Sequence, residues 1–94
     1  MATMPTIKVT VMGQQAELAF AKLGRQRARG LCDAPGDKPR RIWIDPRLEG
    51  KELAEVVIHE CVHLACWYLT EDFVEQLAAD IADVLEEVED ALDA

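Results

Sequence analysis

Apolar and polar residues alternate singly in the first part of the chain and recur every three to four positions in the second. In TIKVTVM, Ile7, Val9 and Val11 alternate with Thr6, Lys8 and Thr10, and after GQQ the stretch AELAF alternates again through Ala16, Leu18 and Phe20. A period of two marks a strand with one buried face, so two short strands joined by a turn are expected. RGLCD and RRIWID flank APGDKP, whose Pro and Gly density predicts a loop and therefore a second hairpin. Asp45 and Pro46 close the strand region, because proline cannot donate to a sheet ladder.

From about Lys51 to Tyr68 there is no Pro or Gly, and Leu53, Val57, Cys61, Leu64 and Tyr68 share one helical face. Thr70 is placed to cap a second helix, with Glu71 and Asp72 at the positive end of its dipole. Phe73, Leu77, Ile81, Val84 and Val88 are expected to form its buried stripe. Its last turns, EEVEDALDA, put acids at the negative end of the dipole with no base to offset them, so fraying or a basic partner is expected there. Strands first and helices after make an α+β fold, a small antiparallel sheet of three to four strands followed by two packed helices, as one domain over residues 1–94.

A chain of 94 residues supports one small core and has little stability to spare. Half its residues are apolar and 30% are charged, an ordinary globular balance rather than a disordered one. The start, MATMP, lacks a basic segment followed by an apolar one, and no run approaches a membrane span, so the expectation is a soluble cytoplasmic protein with no membrane partner. Cys61 and Cys66 lie too far apart on one helix for a disulfide, so free thiols in a reducing compartment are expected, with at most one bridge involving Cys32.

The net charge of −8 conceals a division: all ten Lys and Arg lie within residues 1–51 beside five acids, while residues 52–94 hold thirteen acids and no Lys or Arg. Basic loops and acidic helices side by side would screen one another, and alternatively the acidic half would recruit cations or a basic protein. Arg25, Arg27, Arg29, Arg40 and Arg41 lack the aromatic interleaving of a nucleic-acid surface, which points away from nucleic acid.

The chemistry concentrates in VVIHECVHLACWYL, residues 56–69, where His59, Glu60 and His63 stand in an apolar run. Burying such groups costs several kcal/mol unless each is compensated, on the order of 2–7 kcal/mol for a neutral polar group. Two histidines four apart project from the same side of a helix about one turn from each other, so their nitrogens converge on one point. Glu60 borders that face, within reach of a water on an ion held by the two imidazoles. This is the HExxH arrangement of zinc hydrolases, written here HECVH. Multiplying abundances of about 2% for His and about 6% for Glu, chance produces it in roughly 0.2% of chains this long.

Zinc in such a site takes a third protein ligand, and these are the only histidines in the chain, so a carboxylate or thiolate must supply it. Counting about five residues from His63 to the turn and five back along an antiparallel helix reaches Glu75, flanked by the small residues Ala78, Ala79 and Ala82. Glu71 projects at a nearby angle about a turn closer to the connection and is the second choice. Cys66, three residues after His63 on the same face, is the third, while Cys61 points to the opposite side and is assigned to packing.

These residues resemble the zincin metallopeptidases, in particular the minimal gluzincin type in which a glutamate on the following helix completes the site. HECVH matches the histidines and the glutamate of that motif, and EQLAADIA from Glu75 is similar to the ligand helix of ImmA/IrrE-type peptidases, with Ala79 where that pattern has Asn. The resemblance covers about residues 51–88. It implies a zinc endopeptidase in which His59, His63 and Glu75 hold Zn2+ and Glu60 is the general base, acting on a peptide or protein held along an edge strand, residues 27–33 or 40–44. Trp43 is a candidate to shape a subsite. Tyr68 is expected on the far, buried face of the first helix, which leaves no residue assigned to the oxyanion. The alternative is a non-catalytic, zinc-stabilised module that recruits a basic protein.

Overall fold

A computed structural model describes residues 4–23 and 29–94 of the chain. Arg25, Arg27 and the first part of the edge strand expected over 27–33 lie outside the described residues. The elements are β1 (Ile7–Val11), β2 (Gln14–Phe20), β3 (Gly30–Cys32), β4 (Arg41–Ile44), α1 (Gly50–Ala65) and α2 (Glu71–Asp93). The α+β order expected from the patterning is the one observed.

The four strands form one sheet in the order β1-β2-β4-β3. The β1–β2 and β3–β4 pairs are antiparallel, and the central β2–β4 pair, Glu17–Arg41 through Phe20–Ile44, is parallel. The sheet is thus mixed rather than wholly antiparallel. The first hairpin turns at Met12 and Gly13, with φ of 50° and 77°, so both central residues are left-handed as in a type I′ turn. Gly13 is the second turn residue, not the first of a longer turn, and Gln14 and Gln15 belong to β2.

One face of the sheet carries the core. Ala16 and Leu18 of β2 and Ile42 and Ile44 of β4 are buried against Val56 and Leu64 of α1, with Val9, Val11 and Phe20 packed around them. Side chains alternate across a strand, so Arg41 and Trp43 lie on the other face, where the Arg41 guanidinium stands 5.7 Å from the Trp43 ring centre. Asp45 turns the chain from β4 toward α1. Its carboxylate accepts from the Arg47 backbone amide at 2.9 Å and from Arg47 Nε and Nη2 at 2.9 and 2.6 Å.

α1 crosses all four strands, and α2 packs on α1 with no contact to a strand among the described residues. α1 ends three residues earlier than its periodicity predicts. Cys66 leaves the helix at φ −144° while its N–H still bonds the Val62 carbonyl, and the Leu69 N–H turns back to the Cys66 carbonyl. This turn replaces the last helical turn, so Tyr68 is 90% exposed in the connection rather than buried on the helix. Thr70 caps α2 as expected, its Oγ1 accepting from the Phe73 amide at 3.3 Å.

The buried face of α2 differs from the predicted stripe. Val74, Ala78 and Ala82 are buried, whereas Phe73, Ile81, Val84 and Val88 are exposed and Leu77 is half-buried. Alanines at 78 and 82 let the helix axes approach closely, and the larger side chains are left to one side of the contact. At the far end of the pair, Lys51 bridges Asp83 and Glu86.

Candidate metal centre

His59 and His63 lie on consecutive turns of α1 with ring centres 5.0 Å apart. Both side chains are largely covered, with 19% and 12% of their surface exposed, which limits their rotamers. Their Nε2 atoms converge on one carboxylate: His59 Nε2 is 2.6 Å from Glu71 Oε1, and His63 Nε2 is 2.9 Å from Glu71 Oε2. Glu71 is the first residue of α2, held in place by the Thr70 cap.

The structure therefore brings Glu71 to the imidazoles, not Glu75, which lines the same cleft. The reason is the early end of α1. His63 is two residues from the helix terminus rather than five, so the returning helix reaches its level at its first residue. Cys66 is exposed at the end of α1 and is not part of the converging group, and Cys61 packs at the edge of the core as expected. The three cysteines are free thiols, and burial pushes Cys32 up to about 11.

The donor set suits zinc. The ligand atoms of His59, His63 and Glu71 all lie within 4.8 Å of one another. Tetrahedral zinc with bonds of about 2.0–2.1 Å holds its ligand atoms roughly 3.3 Å apart, so small side-chain shifts would close the three on an ion. An ion held by two nitrogens and one carboxylate oxygen would keep a fourth position open.

Glu60 is 6% exposed beside this group, on the side of α1 that faces the sheet. Burial pushes its carboxyl from 4.5 up to about 7, the nearby His59 pulling it down and Glu71 pushing it further up. A divalent cation at the histidines would draw it down again.

A cleft of about 620 Å³ opens over these residues between α1, β3 and the start of α2. Two of its residues escape the sequence reading. Gly30 is the point of closest approach: a methyl there would lie 2.7 Å from Val56 Cγ1 and 3.0 Å from both Cγ and Oε2 of Glu60. A glycine inside a short strand is the signal that a neighbour comes close. Trp67 meets His63 edge-on with ring centres 6.2 Å apart, continuing the i, i+4 series from His59 and His63 past the helix end.

The Arg40 guanidinium covers the Trp67 ring at 5.8 Å, and its Nε donates to the Asp33 carbonyl. Arg40 Nη2 is buried without a hydrogen-bond partner, and the face of the indole offers it partial compensation. Trp43, a subsite candidate whose place on a strand more often means packing, lies on the opposite face of the sheet, and Trp67 lines the cleft instead. No helix among the described residues is long and apolar enough to cross a membrane. Comparison with protein-family models, curated proteins and solved structures finds no match for this chain.

Proposed function

We propose that the chain is a zinc-dependent endopeptidase. The observation that carries this reading is the convergence of His59 and His63 on the Glu71 carboxylate, with buried Glu60 one residue from the first histidine. His59 and His63 would hold zinc through neutral nitrogens and Glu71 through a carboxylate oxygen. Zinc at such a site supplies Lewis-acid polarisation of a carbonyl and lowers the pKa of water to about 7.

The chain's own groups do the rest. Glu60 takes a proton from the attacking water and delivers it to the leaving amine. Among the described residues β3 is the sheet edge beside the cleft, and the main-chain groups on its outer side suit an extended peptide laid along it. Leu31, Trp67 and Leu69 add apolar lining for the flanking side chains of that peptide.

The test is zinc titration together with digestion of a mixed peptide library, comparing the parent with Glu60→Gln. Both proteins should bind one zinc, and only the parent should cut. Equal cleavage by the two removes Glu60 from its role. If neither cuts while zinc still raises the melting temperature of both, the second reading stands: a zinc-held binding module. The open acidic face of α2 is the observation that favours that reading.

A further inference from the structure

We propose that the outer face of α2 docks a basic amphipathic helix of a partner protein. α2 rests on α1 alone among the described residues, through Val74, Ala78 and Ala82. On the helical wheel, Phe73, Leu77, Ile81, Val84 and Val88 form a second apolar stripe beside that contact, about 80° wide. Phe73 is 53%, Val84 56% and Val88 49% exposed. Together these residues leave on the order of a few hundred Å² of contiguous apolar surface, the scale at which a patch marks a contact site.

The far end extends the patch. Lys51, at the start of α1, bridges Asp83 and Glu86, so residues 87–93 project roughly 10 Å beyond their support. Val88 and Leu92 lie on this overhang, with Leu92 80% exposed. The stripe therefore runs along the whole helix and matches the length of a helical ligand rather than a single side chain.

Charge selects the occupant. α2 carries ten acids and no Lys or Arg, and Asp80 and Glu87 border the stripe on its solvent side. A second α2 laid along it would set acids against acids, and an anionic lipid surface would be repelled for the same reason. A helix with apolar residues at i, i+3, i+4 and i+7 and lysines or arginines on its flanks satisfies both parts of the surface.

The probe is a labelled synthetic helix of leucines at that spacing and lysines elsewhere, titrated against the full chain by fluorescence anisotropy. Binding should weaken about tenfold or more in Val84→Ser/Val88→Ser, and also when serines replace the leucines of the probe. Asp80→Asn/Glu87→Gln should weaken it and flatten its salt dependence. Circular dichroism should be unchanged, because all four positions are exposed. Glu60→Gln should bind the probe as the parent does, which separates docking on α2 from the proposed hydrolysis.

Equal affinity for the serine double variant or the serine probe would overturn the proposal. So would self-association in sedimentation that the double variant abolishes, which would give the stripe to a second copy. Partition onto phosphatidylcholine vesicles, lost in the same variant, would assign it to lipid and overturn it as well.

Discussion

Replacing Gly30 by alanine tests the contact that sets Glu60 against the sheet. Gly30 is not one of the left-handed glycines, so crowding alone decides the outcome. The added methyl would stand 2.7 Å from Val56 Cγ1, where carbon atoms ordinarily keep about 3.5–4.0 Å, so something must move by roughly 1 Å. Val56 is 4% exposed and packed in the core cluster, so its side chain resists displacement. Overpacking of this kind costs about 1–3 kcal/mol. Three contacts at or under 3.0 Å put the cost in the upper part of that range, about 2–3 kcal/mol, and restriction of the unfolded chain returns about 0.4–1 kcal/mol, which leaves a net loss of about 1–2.6 kcal/mol.

For a domain of this size that loss is a fall of about 4–20 °C in melting temperature, readable by circular dichroism and by urea titration at constant slope. Adding Val56→Ala should rescue part of it, so that the double variant loses less than the two single variants combined. A Gly30→Ala protein within about 0.5 kcal/mol of the parent would refute the close approach of α1 to β3, and strict additivity would refute Val56 as the obstacle.

Glu71→Ala should weaken zinc binding far more than Glu75→Ala or Cys66→Ser when measured by competition with a chromophoric chelator. A larger effect at Glu75 would mean that α2 shifts by a turn on binding metal. Asp45 is held down at about 2 from 3.8, chiefly by its side-chain hydrogen bonds from Arg47 and then by the Arg47 amide. A depressed carboxyl stabilises the fold above its unfolded value and loses that contribution as pH falls toward its folded one. The urea midpoint of the parent should therefore drop between pH 4 and pH 2 more steeply than that of Asp45→Asn. Met12→Asn should stabilise the protein by roughly 0.5–1 kcal/mol in thermal unfolding, because asparagine tolerates the left-handed first position of the type I′ turn better than methionine.

Much of the fold was legible because its signals are local. Alternation of Ile7, Val9 and Val11, the loop chemistry of residues 34–39 and the Thr70 cap each depend on a few neighbouring residues, and each appears where expected. The parallel pairing of β2 with β4 joins residues 24 positions apart, Glu17 with Arg41, and leaves no trace in either strand's own pattern.

At the candidate site, HECVH located both histidines and Glu60, since a spacing of four on a helix leaves little freedom. Glu71 ranked second because a helix end shifted by three residues moves the returning helix by nearly a turn, and helix ends read from a sequence are uncertain on that scale. The stripe on α2 went astray for a different reason. Periodicity reports that a broad sector is apolar, but Ala78 and Ala82 won the contact by being small, which a hydrophobicity pattern does not weigh.

Among the described residues α2 is seated on α1 alone, which has a mechanical consequence. An outermost rod held on a single flank is the layer that detaches first in native-state hydrogen exchange, ahead of the strands beneath α1. An ion bridging the imidazoles to Glu71 would then act as a rivet through both rods. Its loading would slow amide exchange most at the Thr70 end of the outer rod and least at Asp93, a gradient running away from the fastening.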